Sequence, residues 1–175
     1  MELKEVVPEF TICVETTRRC SLRCPYCYVV SRPLPKGREV GLGEIGDFIE
    51  RLLPALEGRD IGVHLTGGEI FTRPGALALI KRLLTLPLLL SVGTNGVYVP
   101  EEVFELPAES LELQFSVDGT LPVHSLTREK GERTYRNLKK ALEKGFLPTI
   151  RTTVHPGNLG AMVDFHRSLD ALASS

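Results

Sequence analysis

The stretch Phe10-Thr11-Ile12-Cys13-Val14, leading through Glu15–Arg19 into Cys20-Ser21-Leu22-Arg23-Cys24-Pro25-Tyr26-Cys27, governs the reading of the whole chain. Its first half is apolar and β-branched, and predicts a strand near Phe10–Glu15. Its second half predicts a loop that presents three thiols from one short segment. Three thiolates so spaced can hold three irons of a cubane iron–sulfur cluster, leaving a fourth iron without a protein ligand. An iron with open positions can bind and reduce a small molecule. The missing fourth cysteine therefore points to chemistry rather than to scaffolding.

The same cysteines have other uses. A structural zinc site takes four Cys or His ligands, most often with Cys pairs two residues apart. Here the fourth would have to be Cys13 or one of the four histidines. Cys13 lies inside the predicted strand and is expected to be a small buried core residue. A cluster is favoured over zinc, a disulfide or chance spacing.

Working outward, strand-like and helix-like segments alternate. Pro33-Leu34-Pro35-Lys36-Gly37 predicts a loop. Ile45, Phe48, Ile49, Leu52, Leu53 and Leu56 then recur at helical steps, with Gly58 placed to end the helix. Ile61–Leu65 predicts a second strand running into Thr66-Gly67-Gly68-Glu69. Gly75–Leu86 predicts a helix between Pro74 and Pro87. Leu88–Val92 predicts a third strand closed by Gly93-Thr94-Asn95-Gly96, with a short helix from Pro100. Leu111–Val117 alternates as a fourth strand and turns at Asp118-Gly119. Tyr135, Leu138, Ala141 and Leu142 mark a helix capped by Gly145. Thr149–Val154 predicts a fifth strand, and Met162, Phe165, Leu169 and Leu172 a last helix. Five β–α units in succession imply an α/β fold on a parallel sheet with right-handed crossovers, either open or part of a barrel. In both cases the working loops lie beyond the carboxyl ends of the strands, where the cysteines, Gly67–Glu69, Thr94–Gly96 and Asp118-Gly119 all fall.

Composition narrows the function. The chain has 175 residues, the length of one domain, and a formal net charge of −1, which gives no field for nucleic acid. No apolar run approaches the ~20 residues of a membrane helix, and charges between Glu2 and Glu9 argue against a signal peptide. A cytoplasmic protein is expected, in which clustered cysteines bind metal or do redox work.

Cys20-x3-Cys24-x2-Cys27, with the aromatic Tyr26 before the last cysteine, resembles the signature of the radical S-adenosylmethionine (SAM) enzymes. Gly67-Gly68-Glu69 after the second strand is similar to that superfamily's glycine–glycine–glutamate motif. Ser116-Val117-Asp118-Gly119, followed by His124 and Arg128, resembles members that carry an extra cluster domain and modify peptides or proteins, such as the sulfatase-maturing enzymes. The resemblance spans nearly the whole chain. It implies a 4Fe-4S cluster on Cys20, Cys24 and Cys27, whose open iron chelates SAM and whose electron cleaves it to a 5′-deoxyadenosyl radical. It also implies SAM contacts from Tyr26, Thr66, Gly67, Gly68, Glu69, Asn95, Ser116 (ribose hydroxyls) and Arg128 (carboxylate), which suits a planar donor fork. For Thr66 and Asn95, turn hydrogen bonding is an equal alternative. His124 is expected to make a structural hydrogen bond rather than to move a proton. No catalytic acid or base is identified.

The partners follow from the same resemblance. A one-electron donor such as flavodoxin or ferredoxin is expected, and a peptide or protein substrate. Arg18, Arg19, Arg23, Arg32, Lys36 and Arg38 form either a solvated loop or a docking face for that donor. Two departures matter. The fold implied is a partial (βα) barrel with about five parallel units, where the superfamily usually has six. No cysteine follows Cys27, so a radical SAM core domain over residues 1–175 without an auxiliary-cluster domain is expected. A fragment of a longer protein, a minimal enzyme and a core whose open sheet is completed by a partner chain all remain open. The alternatives to peptide modification are a small activating or small-molecule radical SAM enzyme and, in another class, a non-catalytic electron-transfer or sensor protein.

Overall fold

The five apolar runs form five strands: β1 (Phe10–Thr17), β2 (Ile61–Gly67), β3 (Leu89–Thr94), β4 (Leu111–Ser116) and β5 (Thr149–Arg151). The computed structural model describes residues 8–31 and 39–173. All four neighbouring pairs are parallel and the strand order is sequential, so each crossover steps to the adjacent strand. The helices are α1 (Tyr28–Ser31), α2 (Leu42–Leu52), α3 (Ala76–Leu83), α4 (Leu121–His124), α5 (Gly131–Glu143) and α6 (Met162–Ala173). The expected α/β architecture of five parallel units in an open partial barrel is the one observed. The loop expected at Pro33–Gly37, with Arg32, Lys36 and Arg38, lies outside the described residues.

Register sorts the two faces. Val14, Leu65, Val92 and Leu113 lie side by side across β1–β4, and Val63, Leu90 and Leu111 form the row beneath. These side chains pack with Ile49, Leu79, Ile80, Leu83, Leu138 and Phe165 from the helices into one core. Leu65, Val92, Leu113 and Phe115 are fully buried, and each such burial contributes about 1.5–3 kcal/mol. The opposite face is polar. Cys13, His64, Ser91 and Glu112 stand at one level across β1–β4. Burial, with the charge of Arg151 on β5 adding to it, lowers the pKa of His64. That coupling reaches from β5 to β2, as a curved sheet permits.

Three expectations need correction. Cys13 is exposed, not in the core. The core side of β1 is taken by Ile12 and Val14, so the alternation of a strand puts Thr11, Cys13 and Glu15 on the other, open side. The fifth strand stops at Arg151 instead of Val154. The Thr152 hydroxyl donates to Val117 O (2.7 Å) and Thr153 N–H to Asp118 Oδ1 (3.0 Å), which turns the chain inward and leaves Val154 exposed. The second long helix ends at Leu83, three residues early. Thr85 N and Leu86 N bond back only three residues, to Arg82 O and Leu83 O, in a tightened last turn.

Candidate functional site

The loops beyond the carboxyl ends of the strands meet at one end of the sheet. The cysteine loop leaves β1 and runs directly against the turn that follows β2. Gly68 N–H donates to Thr17 O (2.7 Å) and Glu69 N–H to Arg19 O (2.8 Å). This contact explains both glycines. Gly67 has φ +126°, and a Cβ there would lie 2.3 Å from Thr17 O; one on Gly68 would lie 2.2 Å from Arg19 O. No side chain fits either position. The close approach that the pair permits here is to the chain's own cysteine loop.

Glu69 is 1 % exposed and ties this turn to the next one. Its carboxylate accepts from Asn95 N–H (2.7 Å), from Phe71 N–H (3.3 Å) and from the Thr94 hydroxyl (3.0 Å to each oxygen). Burial pushes its pKa up to about 7, against the pull of those donors. Asn95, itself buried, turns its amide toward the cysteines. Its Nδ2 lies 3.5 Å from Cys20 Sγ and 3.4 Å from Ser21 Oγ. Cys20 Sγ also accepts from Leu22 N–H (3.4 Å).

A second cluster of contacts gathers on Asp118, which is fully buried. Arg128 Nε donates to Asp118 Oδ2 at 2.7 Å, and the hydroxyls of Tyr26 and Thr127 donate to the same oxygen. Asn158 Nδ2 reaches Asp118 O (2.8 Å) and His124 Nδ1 accepts from Asp118 N–H (3.2 Å). Burial opposes the charge on Asp118, but the hydrogen bonds from Arg128 and Tyr26 outweigh it and hold its pKa below the ordinary value. Tyr26, raised to about 12 by burial and by its bond to Asp118, stacks on His155 (5.7 Å) and lies under the Arg128 guanidinium (5.6 Å). His124 makes a structural hydrogen bond, as expected. Burial, with Arg128 adding to it, lowers its pKa to about 4. Asp118 is the residue that sequence reasoning missed. It read only as the first half of a turn, and its donors come from positions 26, 127, 128 and 153.

The predicted site residues thus divide. Cys20, Cys24, Cys27, Gly67, Gly68, Glu69 and Asn95 form one connected group, and Tyr26 and Arg128 join the Asp118 group. Thr66 and Ser116, both half-buried at the ends of β2 and β4, make no side-chain hydrogen bond to the described residues. The three thiols are partly exposed. Burial pushes the Cys24 thiol up, Arg128 pulls it down, and Cys20 and Cys27 push it up again, as neighbours in one site do. Among the described residues, no group of three or more His, Cys, Asp or Glu side chains converges on a single metal ion. A cubane does not ask for that convergence, because each thiolate binds its own iron. Soft thiolates on one loop, one of them already accepting two N–H donors, fit such a cluster. Arg18 pairs with Glu15 (2.9 Å) and Arg19 with Glu39 (3.7 Å), so the basic cluster is partly neutralised by its neighbours.

Residues 14–168 match the Radical SAM superfamily. The chain belongs to that superfamily. It is 33 % identical over 155 residues to GTP 3′,8-cyclase of Petrotoga mobilis, covering 82 % of this chain and 46 % of that protein. It is 33 % identical over 98 residues to PqqA peptide cyclase of Gluconobacter oxydans, covering 56 % of this chain and 26 % of the relative. Among solved structures it superposes on native anSMEcpe with bound AdoMet and Kp18Cys peptide, with TM-score 0.77 and 17 % identity over 92 % of this chain and 49 % of that one. The radical SAM chain described here spans less than half the length of those curated relatives. Superfamily members bind a 4Fe-4S cluster and SAM. No described helix is long and apolar enough to cross a membrane.

Proposed function

We propose that this chain is the core of a radical SAM enzyme that holds a 4Fe-4S cluster on Cys20, Cys24 and Cys27, cleaves SAM reductively, and abstracts a hydrogen atom from a peptide or protein. The observation that carries the cleavage reading is the cysteine loop locked by Gly67, Gly68 and Asn95 at the carboxyl end of the sheet. When bound, the cluster and SAM supply the hard step, a one-electron cleavage that gives the 5′-deoxyadenosyl radical. The protein's part is to hold and orient them. The Ser116 hydroxyl, which makes no side-chain hydrogen bond among the described residues, suits ribose. Arg128 spends its Nε–H on Asp118, and its Nη donors, which make no hydrogen bond among the described residues, suit a carboxylate. The carbonyls around Gly67 and Gly68 and the half-buried Thr66 hydroxyl suit the amino acid end of SAM. Tyr26 and Glu69 act from beneath, fixing the loops that carry these groups. A one-electron donor such as flavodoxin or ferredoxin completes the reading.

The peptide substrate is supported by the likeness to PqqA peptide cyclase and by the peptide in the anSMEcpe structure. The GTP 3′,8-cyclase relative, matched over more of the chain, favours a small-molecule substrate as the second reading. Anaerobic reconstitution with iron and sulfide, then SAM and dithionite, is expected to release 5′-deoxyadenosine, and Cys24→Ala to abolish it. A fully loaded protein that leaves SAM intact would overturn the cleavage reading. Deuterium transfer into 5′-deoxyadenosine from a labelled peptide, but not from labelled GTP, would separate the two substrates.

A further inference from the structure

Of the three cysteine sulfurs, only Cys20 Sγ accepts hydrogen bonds from described residues, and it accepts two: one from its own loop (Leu22 N–H) and one from the distant Asn95. The orientation of the Asn95 amide is fixed by its surroundings. Val97 N–H donates to Oδ1 at 2.9 Å, so the donor end of the amide has to face Cys20 and Ser21. The backbone on either side is clamped as well. Asn95 N–H donates to Glu69 Oε2, and the Thr134 hydroxyl donates to Asn95 O (2.9 Å). The next residue, Gly96, has φ +72°, and a Cβ there would lie 2.7 Å from Phe115. The turn has no room to swing the amide away. Asn95 is 5 % exposed, so little of its amide is open to water.

An N–H that points at a thiolate sulfur favours the more electron-rich state of any cluster bound through it, and such bonds help set a cluster's reduction potential. We infer that Asn95 is a positioning residue that raises the reduction potential of the cluster held by Cys20 and makes the iron on Cys20 electronically distinct from the other two. The inference rests on the cluster reading above. It assigns Asn95 to the sulfur instead of to SAM.

The test is an anaerobic redox titration of the reconstituted full chain, followed by electron paramagnetic resonance. Asn95→Leu is expected to lower the reduced-to-oxidised ratio at a fixed potential about tenfold, which for a one-electron couple is about 59 mV in midpoint. Asn95→Asp, which adds a negative charge beside the sulfur, should lower it further. Ser21→Ala removes the other acceptor of the same amide and should leave the reduced-to-oxidised ratio at that potential within about twofold of the wild type. Equal midpoints for the wild type and Asn95→Leu at equal cluster loading would overturn the inference. If both Asn95 variants fail to load, the wild type decides alone. With side-chain ¹⁵N-asparagine, the reduced cluster should show a ¹⁵N coupling by electron–nuclear double resonance, and its absence overturns the assignment. A wild-type chain that binds no cluster would refute the functional reading itself, which keeps the two failures apart.

Discussion

Glu69 and Asp118 are placed alike and held in opposite ways. Each carboxylate follows its strand by two residues, Glu69 after β2 and Asp118 after β4, and each is almost completely buried. Among the described residues Glu69 meets only neutral donors, two backbone N–H groups and a hydroxyl, and its pKa rises to about 7. Asp118 meets the Arg128 guanidinium as well as Tyr26, and its pKa falls below the ordinary value. Burial is the first force on both. The presence of a cation decides which way the balance tips. Glu69 therefore works as a hinge pin between two turns, whereas Asp118 needs its counter-charge to be there at all.

The sharpest way to break this comparison is to remove the cation. Arg128→Leu leaves Asp118 buried and unpaired, and is expected to destabilise the chain by about 3–5 kcal/mol. A shift in the urea midpoint measures it, and adding Asp118→Asn should recover part of the loss. A cost under about 1 kcal/mol would mean that Asp118 does not depend on Arg128.

The next effect is pH-dependent and belongs to Glu69. Its folded pKa of about 7 lies above the ordinary 4.5, so the folded state keeps the proton longer. The resulting stabilisation is complete below pH 4.5 and is lost as pH rises through about 7, on the order of 3 kcal/mol in all. His124 runs the other way. Its folded value of about 4 lies below 6.5, so its contribution is complete above pH 6.5 and is lost as pH falls through 4. In the wild type the two slopes oppose each other between these limits. Glu69→Gln should leave the rise with pH that His124 and the likewise lowered His64 cause, seen as a steeper increase in urea midpoint from pH 4.5 to 6.5. Identical slopes in both proteins would remove Glu69 from the account.

The smallest effect tests the second support of Asp118. Tyr26→Phe deletes one donor while Arg128 and Thr153 remain, and is expected to cost about 1 kcal/mol in the same denaturation experiment. A loss as large as that of Arg128→Leu would mean that the hydroxyl, not the cation, dominates.

Much of this was legible in the amino acids. The apolar runs at Ile61–Leu65, Leu88–Val92 and Leu111–Val117 announced three central strands because a strand buried between layers needs nearly every inward position apolar. The edges were harder. Cys13 sits among residues that look like core, but β1 and β5 each pair on one side only, and the side chains on the open face of an edge strand stay exposed. The cysteine loop, Gly67-Gly68 and Asn95 were visible as motifs. Their real contacts were not, since Gly68 answers to Arg19 and Asn95 to Cys20. Asp118 shows the same limit: four donors from positions 26 to 153 converge on one carboxylate, and no local pattern encodes that.

The clasp formed by Tyr26 has a consequence for how the molecule is made. Tyr26 belongs to the first loop of the chain, but it is held by Asp118, 92 residues later, and stacks on His155 beyond that. At a synthesis rate of 5–20 residues per second, those partners follow it by about 5–25 s. Through that interval the three thiols leave the ribosome before the groups that later crowd them exist. Nascent chains therefore pass through a stage in which the cysteine loop is fully synthesised and still open on that side, and closing the clasp is a late event.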